Sequence, residues 1–376
     1  MSPDVPRERA VARVNLAAIE RNVARLRDAT GPGVELCAVV KADGYGHGAA
    51  PSARAALSGG AASLAVAAAA EAAELRAAGI DAPILVLGAL SGPELDVALD
   101  ARAEIVAWRE PFVRAILRPA RVHVKLDTGM GRLGTRDAAE ATRVADAIAA
   151  APHLELAGAM THYATADEPD DGFMPEQLAR FTAWAEPLRE RHPGLVLHTA
   201  NSAATLRDPA THFDLVRTGV AIYGLDPFQR DPAEHGLEPA LELHSYVAEV
   251  KPIAAGESAG YGRRFVAEHP TTLATVPVGY GDGVRRALTN NADVLVGGRR
   301  RPLRGTVSMD NVTIELAPGE PQADRGDEAV LIGGQGGERI LAEEWARRLD
   351  TINYEITCGL SRRVRRVYHR DGMPAA

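Results

Sequence analysis

SLAVAAAAEAAELRAAGIDAPILVLG, residues 63–88, sets two short apolar runs on either side of an Ala/Leu/Glu/Arg stretch of helical periodicity. The flanking runs, SLAVA and PILVLG, are apolar on both faces, as strands covered on both sides must be. The intervening AAEAAELRAAG ends on Gly79, a common helix stop. A strand, a helix and a second strand in this order form one unit of a parallel sheet.

The same alternation runs from about residue 14 to residue 225. ELCAVV precedes the quoted unit, and AEIVAW, RVHVKL, LELAGAM, LVLHT and FDLVR follow it, with helix-like stretches such as RDAAEATRVADAIAA between most of them. Eight such strands predict a (β/α)8 barrel, with a doubly wound open sheet as the competing architecture. After LEPALELHSYV the texture changes. LELHSYVAEVKPI, TTLATVPVGY, DVLVGGRRRPLRGTVSMDNVTIEL and DEAVLIGG are β-rich runs joined by Gly-containing turns, interrupted by one helix-like segment, LAEEWARRLD. The expected organisation is a barrel domain over 1–239 and a mostly antiparallel β domain over 240–376.

Composition narrows the function. The 376 residues are 46% hydrophobic and carry a net charge of −8, which argues against a nucleic-acid surface. The one basic tract, RRVRRVYHR at 362–370, reads as a solvated edge or a basic rim attracting anionic ligands. Cys37 and Cys358 lie in apolar surroundings and are expected as two buried free thiols of a reducing compartment. The N-terminal MSPDVPRERAVARVN lacks the apolar core of a signal peptide, and AASLAVAAAA is too short to span a bilayer. A cytoplasmic protein with no membrane or nucleic-acid partner is expected. No HExxH or Cys/His pairing occurs, so no metal site is expected. GGQGG at 333–337 lacks a following Lys-Ser/Thr and reads as a β-turn rather than a phosphate loop.

In a barrel, catalytic groups gather at the C-terminal ends of the strands. Lys41 ends the first strand and Lys125-Leu126-Asp127 the fifth; Thr161-His162 ends the sixth. Asn201-Ser202 follows the seventh strand, and Arg217-Thr218-Gly219 the eighth. Ser202 opens a short helix-like stretch, as either an N-terminal cap or an anion ligand. Gly219 either turns the chain or lets backbone N–H groups approach a phosphate. With Lys41, the set suggests a phosphate-bearing aldehyde cofactor held as a Schiff base, and spacing leaves aldolase-type chemistry equally open.

Eight motifs then carry a resemblance, in order along the chain: AVVKADGYGHGA, VKLDTGMGRLG, THYATADE, HTANSAA, LVRTGVAIYG, GYGDG, SMDN and TINYEITCGLSRRV. Together they resemble the pyridoxal-phosphate-dependent alanine racemases, nearly end to end. The resemblance implies a barrel followed by a β domain. It further implies a homodimer with shared active sites, interconversion of L- and D-alanine, and a D-alanine supply for peptidoglycan synthesis. Lys41 is similar to the family lysine that links to pyridoxal 5'-phosphate and serves as one acid/base, and Tyr261 to the second, given by the partner subunit. Tyr45, Ser202, Gly219, Val220 and Tyr354 match positions around the cofactor phosphate, with Asn201 beside them. Arg217 matches the arginine facing the pyridine nitrogen, and His162 the histidine linking it to Tyr261. Arg132 and the backbone of Met309 match groups holding the substrate carboxylate. Lys125 matches a lysine often carbamylated, Tyr280 an inner gate residue, and Asp310 a supporting position in SMDN.

Two positions depart from the pattern. Thr306 stands where family members often carry an arginine on the path of substrate to the site, and GYGDG replaces the commoner GYADG. The rival readings are a basic-amino-acid decarboxylase or a serine-acting racemase of the same fold group, and a non-catalytic cofactor carrier. Arg217 argues against the decarboxylase, which usually has Glu at that place. The presence of both Lys41 and Tyr261 argues against the carrier.

Overall fold

The computed structural model describes residues 8–316 and 323–375, which divide into two compact units. Residues 18–228 and 232–238 form one unit; residues 8–17, 229–231 and the described residues from 239 onward form the other.

All eight strands expected from the apolar runs of the first unit are present. They are preceded in the chain by β1 (Val11–Asn15) and run β2 (Glu35–Val39), β3 (Ser63–Val66), β4 (Ile84–Val86), β5 (Glu104–Ala107), β6 (Ala120–Lys125), β7 (Leu154–Met160), β8 (Val196–His198) and β9 (Leu215–Thr218). Neighbours pair in parallel from β8 round to β2, and β2 pairs β9. Two backbone hydrogen bonds, Arg217 N to Ala200 O at 2.9 Å and Asp214 N to Leu197 O at 3.1 Å, bring β9 back to the β8 segment. The ring is thereby a barrel and not an open sheet. Leu64, Ile84, Ile105, Val122 and Leu197 are fully buried, as strands covered on both faces require.

The second unit is built on a mostly antiparallel sheet in which Leu241–Tyr246 sits centrally, flanked by Glu328–Gln335 on one side and β1 on the other. A three-stranded sheet (Glu249–Ile253, Thr271–Val276, Val312–Leu316) and a short hairpin (Ser258–Ala259 with Phe265–Val266) complete it. GGQGG closes the hairpin between Glu328–Gln335 and Glu338–Ile340, as expected.

Three expectations need correction. The barrel domain does not begin at residue 1, because β1 pairs antiparallel with Leu241–Tyr246 and parallel with Arg365–Arg370. Among its described residues the β unit holds two α-helices rather than one, Ala342–Arg348 and Asn353–Cys358. The second is pinned at its start, where Asn353 N donates to Gln229 Oε1 at 2.8 Å and Asn353 Nδ2 to Glu343 Oε1 at 2.8 Å. Of the two cysteines only Cys37 is buried, while Cys358 is exposed at the end of that helix. No helix among the described residues is long and apolar enough to cross a membrane.

Asp282, wholly buried in GYGDG, ties the ends of the β unit together. Its Oδ2 accepts from Gly279 N at 2.9 Å and Arg9 Nη1 at 2.9 Å, and its Oδ1 lies 3.3 Å from Arg363 Nε. Removing such a carboxylate strands the buried Gly279 N–H and takes an ionic partner from both Arg9 and Arg363. Asp282→Ala is therefore expected to lower the unfolding free energy by roughly 3 kcal/mol, measured by urea denaturation; a change within the ordinary surface range of about 0.5 kcal/mol would contradict this role.

Candidate active site

At the C-terminal end of β2 the chain enters an unusual turn. Ala42, Asp43, Gly44 and Tyr45 all have left-handed backbone, with φ between 52° and 61°. Each non-glycine residue there costs about 1–2 kcal/mol, so the turn must be held from outside. Glu71 does part of this: its Oε1 accepts from Ala42 N at 2.7 Å while Oε2 accepts from Ala67 N and Ala68 N. Asp43 Oδ1 accepts from Ala49 N at 2.8 Å. Lys41 is thereby set at the barrel mouth at the start of a fixed turn, and Tyr45 is folded back and buried.

Tyr45 meets Gly219. A Cβ built on Gly219 would lie 2.3 Å from Tyr45 Oη, so only glycine fits. Ser202 Oγ accepts from Gly219 N at 2.9 Å and from Ala221 N at 3.3 Å. The helix cap is Asn201, whose side chain accepts from Ala204 N at 3.0 Å, so the capping role considered for Ser202 falls to its neighbour. Val220 is buried at the start of the following turn. Two tyrosine or serine hydroxyls and a side-chain-free backbone thus converge on one spot.

Arg217 is 4% exposed, and its terminal nitrogens are fully spent. Nη1 donates to His198 Nδ1 and His198 O, both at 2.8 Å; Nη2 donates to Thr161 O at 2.8 Å and Thr199 O at 3.1 Å. His162 Nδ1 lies 3.4 Å from Nη2. A guanidinium has five N–H donors, and only the one on Nε makes no hydrogen bond among the described residues. Burial pushes the Arg217 pKa down to about 10, and burial beside Arg217 holds His162 well below the usual histidine range, so His162 is neutral.

Lys125 is buried at the end of β6, and burial with the neighbouring Arg217 and Arg132 lowers its pKa from 10.5 to about 8. The sequence allowed an ion pair with Asp127, but Asp127 is engaged elsewhere. Its carboxylate accepts from Gly129 N and Gly131 N and pairs with Arg136 at 3.2 Å. Those bonds shape the loop that presents Arg132, which is exposed.

The β unit carries the remaining expected residues. Tyr261 sits at the tip of the short hairpin and is 73% exposed; Tyr280 and Met309 are also exposed. Thr306 Oγ1 donates to Tyr261 O at 2.6 Å, so the residue that departs from the family pattern fastens the backbone of this tyrosine. Tyr261, Thr306, Ser308 and Asn311 line an open pocket of about 520 Å³. Met309 O accepts from Gly281 N at 2.9 Å, Asp310 pairs with Arg363, and Tyr354 lies half-buried on the Asn353–Cys358 helix. Sequence reasoning passed over Glu71, Glu104, His123 and His198. The signal for the last three was a polar residue inside an otherwise apolar strand run.

A barrel with an amine, a saturated arginine and a hydroxyl-lined glycine turn at its strand ends, followed in the chain by a β unit bearing an exposed tyrosine, defines a class of two-unit barrel proteins. Comparison gives the family. The models "Alanine racemase, N-terminal domain" and "Alanine racemase, C-terminal domain" match residues 14–227 and 240–368. The alanine racemase of Nostoc sp. is 42% identical over 375 residues, covering 96% of both chains. The E. faecalis alanine racemase structure superposes with a TM-score of 0.91 at 36% identity, covering 96% of this chain and 98% of that one. That of Bacillus anthracis with bound L-Ala-P superposes at 0.90 and 38% identity, covering 100% and 98%. The chain belongs to the alanine racemase family.

Lys125 has a measurable consequence. Its folded pKa lies below the unfolded value, so the unfolded chain binds more protons between about pH 8 and 10.5, and stability rises with pH across that window. Lys125→Met is expected to be more stable than the parent at pH 7 by up to roughly 3 kcal/mol, an advantage that vanishes by about pH 10.5. A difference in unfolding free energy independent of pH would contradict the shift.

Proposed function

We propose that the protein interconverts L-alanine and D-alanine with pyridoxal 5'-phosphate as cofactor, acts in the cytoplasm as a homodimer with shared sites, and supplies D-alanine for peptidoglycan synthesis. The observation that carries this reading is Arg217, a buried cation with a single N–H left to give. The donor set fits the cofactor. Lys41 offers an amine at the barrel mouth. Gly219 offers bare backbone closed over by Tyr45 Oη, and Ser202, which accepts two backbone N–H groups, keeps its own proton to donate to a phosphate oxygen. Val220 and Tyr354 are assigned to the same phosphate, with Asn201 holding the helix that carries Ser202.

When bound, pyridoxal phosphate supplies an aldehyde for amine linkage and a ring that accepts the electron pair left as the α-proton departs. The chain supplies the rest. Racemisation removes a proton from one face of Cα and returns one to the other, so two acid/base groups are required on opposite sides. Lys41 Nζ serves one face. Tyr261 Oη, from the partner subunit's β unit, serves the other, with His162 connecting it to Arg217. Arg217, whose Nε N–H makes no hydrogen bond among the described residues, would hold the ring nitrogen as a donor that keeps its proton, so the ring would withdraw less charge. That would favour return of a proton at Cα over side reactions. Arg132 and the Met309 N–H orient the substrate carboxylate, with Tyr280 and Asp310 lining the approach. The Lys125 amine, partly neutral near pH 8, can add carbon dioxide with loss of a proton; the carbamate so formed would pair with Arg132.

The exposure of Tyr261, Tyr280 and Met309 supports a partner covering that face. Purified protein given L-alanine should form D-alanine by chiral chromatography. Lys41→Ala and Tyr261→Phe should each lose this activity, the former together with the visible absorption band of the bound cofactor. Mixing and re-associating the two inactive variants should restore about a quarter of parental activity, since half the dimers are mixed and each mixed dimer holds one intact site. No restoration would contradict shared sites, and no D-alanine from the cofactor-loaded parent would overturn the assignment.

A further inference from the structure

Below Arg217, within the barrel, three more polar side chains stand in a line. His198 Nε2 is 2.8 Å from His123 Nδ1, and His123 Nε2 is 2.7 Å from Glu104 Oε2. The two imidazoles meet edge-on at 89°, and both are buried. They come from β6 and β8, with β7 between them. They can touch because β7 places Gly158 there: a Cβ at Gly158 would lie 2.3 Å from His123 Nδ1. Glu104 opens β5 at the opposite end of the barrel, where it pairs with Arg121 Nε at 2.8 Å on the wall of a pocket of about 430 Å³.

The protons in this line have one arrangement. Arg217 can only donate, so His198 Nδ1 must accept. A neutral His198 then carries its proton on Nε2 and donates it to His123 Nδ1. His123 in turn carries its proton on Nε2 and gives it to the Glu104 carboxylate, which can only accept. A doubly protonated His123 would present a proton to Nε2 of a ring whose Nδ1 already accepts from Arg217. That ring would have to be an imidazolate. Burial beside Arg217 holds His198 well below the usual histidine range, consistent with a neutral ring.

We propose that Glu104, His123 and His198 form a one-way hydrogen-bond relay that fixes the orientation of Arg217 from the far end of the barrel, making Glu104 and His123 positioning residues for the reaction. No carboxylate hydrogen-bonds Arg217 among the described residues, and a buried cation needs compensation. The relay carries the influence of one carboxylate to Nη1 through two polarised rings. It also locks the guanidinium edge, so that Nε keeps its direction. Gly158 is the spacer that makes the relay possible.

The catalytic part of this inference rests on the racemase reading above; the proton arrangement does not. Protein labelled with ¹⁵N at histidine, both cofactor-free and cofactor-loaded, is examined by NMR at neutral pH, with signals assigned by their loss in His123→Gln and His198→Gln. Both rings are expected as neutral tautomers protonated on Nε2 in both preparations, and an Nδ1-protonated or cationic ring at either position overturns the relay, whether or not the protein racemises alanine. In the loaded enzyme, Glu104→Leu and Gly158→Ala are expected to lower kcat roughly tenfold or more with KM for alanine little changed, the scale of a lost hydrogen bond to a charged group. Glu104→Gln, which keeps an acceptor oxygen but loses the charge, should lose clearly less than Glu104→Leu. Equal kcat in the parent, Glu104→Leu and Gly158→Ala, or a loss in Glu104→Gln as deep as in Glu104→Leu, would overturn the positioning role.

Discussion

The placement of one buried guanidinium is the constraint on which the barrel's site depends. A cation removed from water is stable only when its donors are satisfied, and Arg217 finds its acceptors in Thr161 O, His198 O, Thr199 O and His198 Nδ1. Those carbonyls follow β7 and end β8, so the side chain crosses the same seam that the Arg217 and Asp214 backbone amides close. The residue whose backbone amide closes the barrel is therefore also the one whose side chain is pinned across that seam. Its saturation gives it direction: a guanidinium with four N–H groups committed presents the fifth along a single line.

Around that fixed point the structure accepts strain where position matters. Four successive left-handed residues after Lys41 are costly, and the bonds from Glu71 and Asp43 show how the turn is kept. The closeness of Tyr45 to Gly219 demands that no side chain intervene. These contacts hold the turn through the chain's own groups. The β unit follows the same logic through Thr306, which holds the Tyr261 backbone while leaving its ring exposed.

The barrel was legible in the sequence because its strands are buried on both faces, and runs such as SLAVA and PILVLG can satisfy that condition in few other ways. VARVN was not assignable, since its partners lie more than 200 residues away and nothing local reveals a non-local pairing. NYEITC hid its helix behind β-branched residues, and its start is fixed by Gln229 and Glu343 rather than by propensity. Lys41, Arg217 and Gly219 could be singled out because strand ends collect chemistry. His123 and His198 could not be linked, because the pairing depends on Gly158 in the strand between them. Their relation is three-dimensional, and periodicity carries no trace of it.

The central claim is that Arg217 gives a hydrogen bond without giving a proton. It is tested most directly by ¹⁵N NMR of the protein loaded with pyridoxal phosphate labelled at the ring nitrogen. The account predicts the chemical shift of an unprotonated pyridine accepting a hydrogen bond, moved toward that of bare pyridine in Arg217→Ala. A pyridinium shift in the parent protein would contradict it.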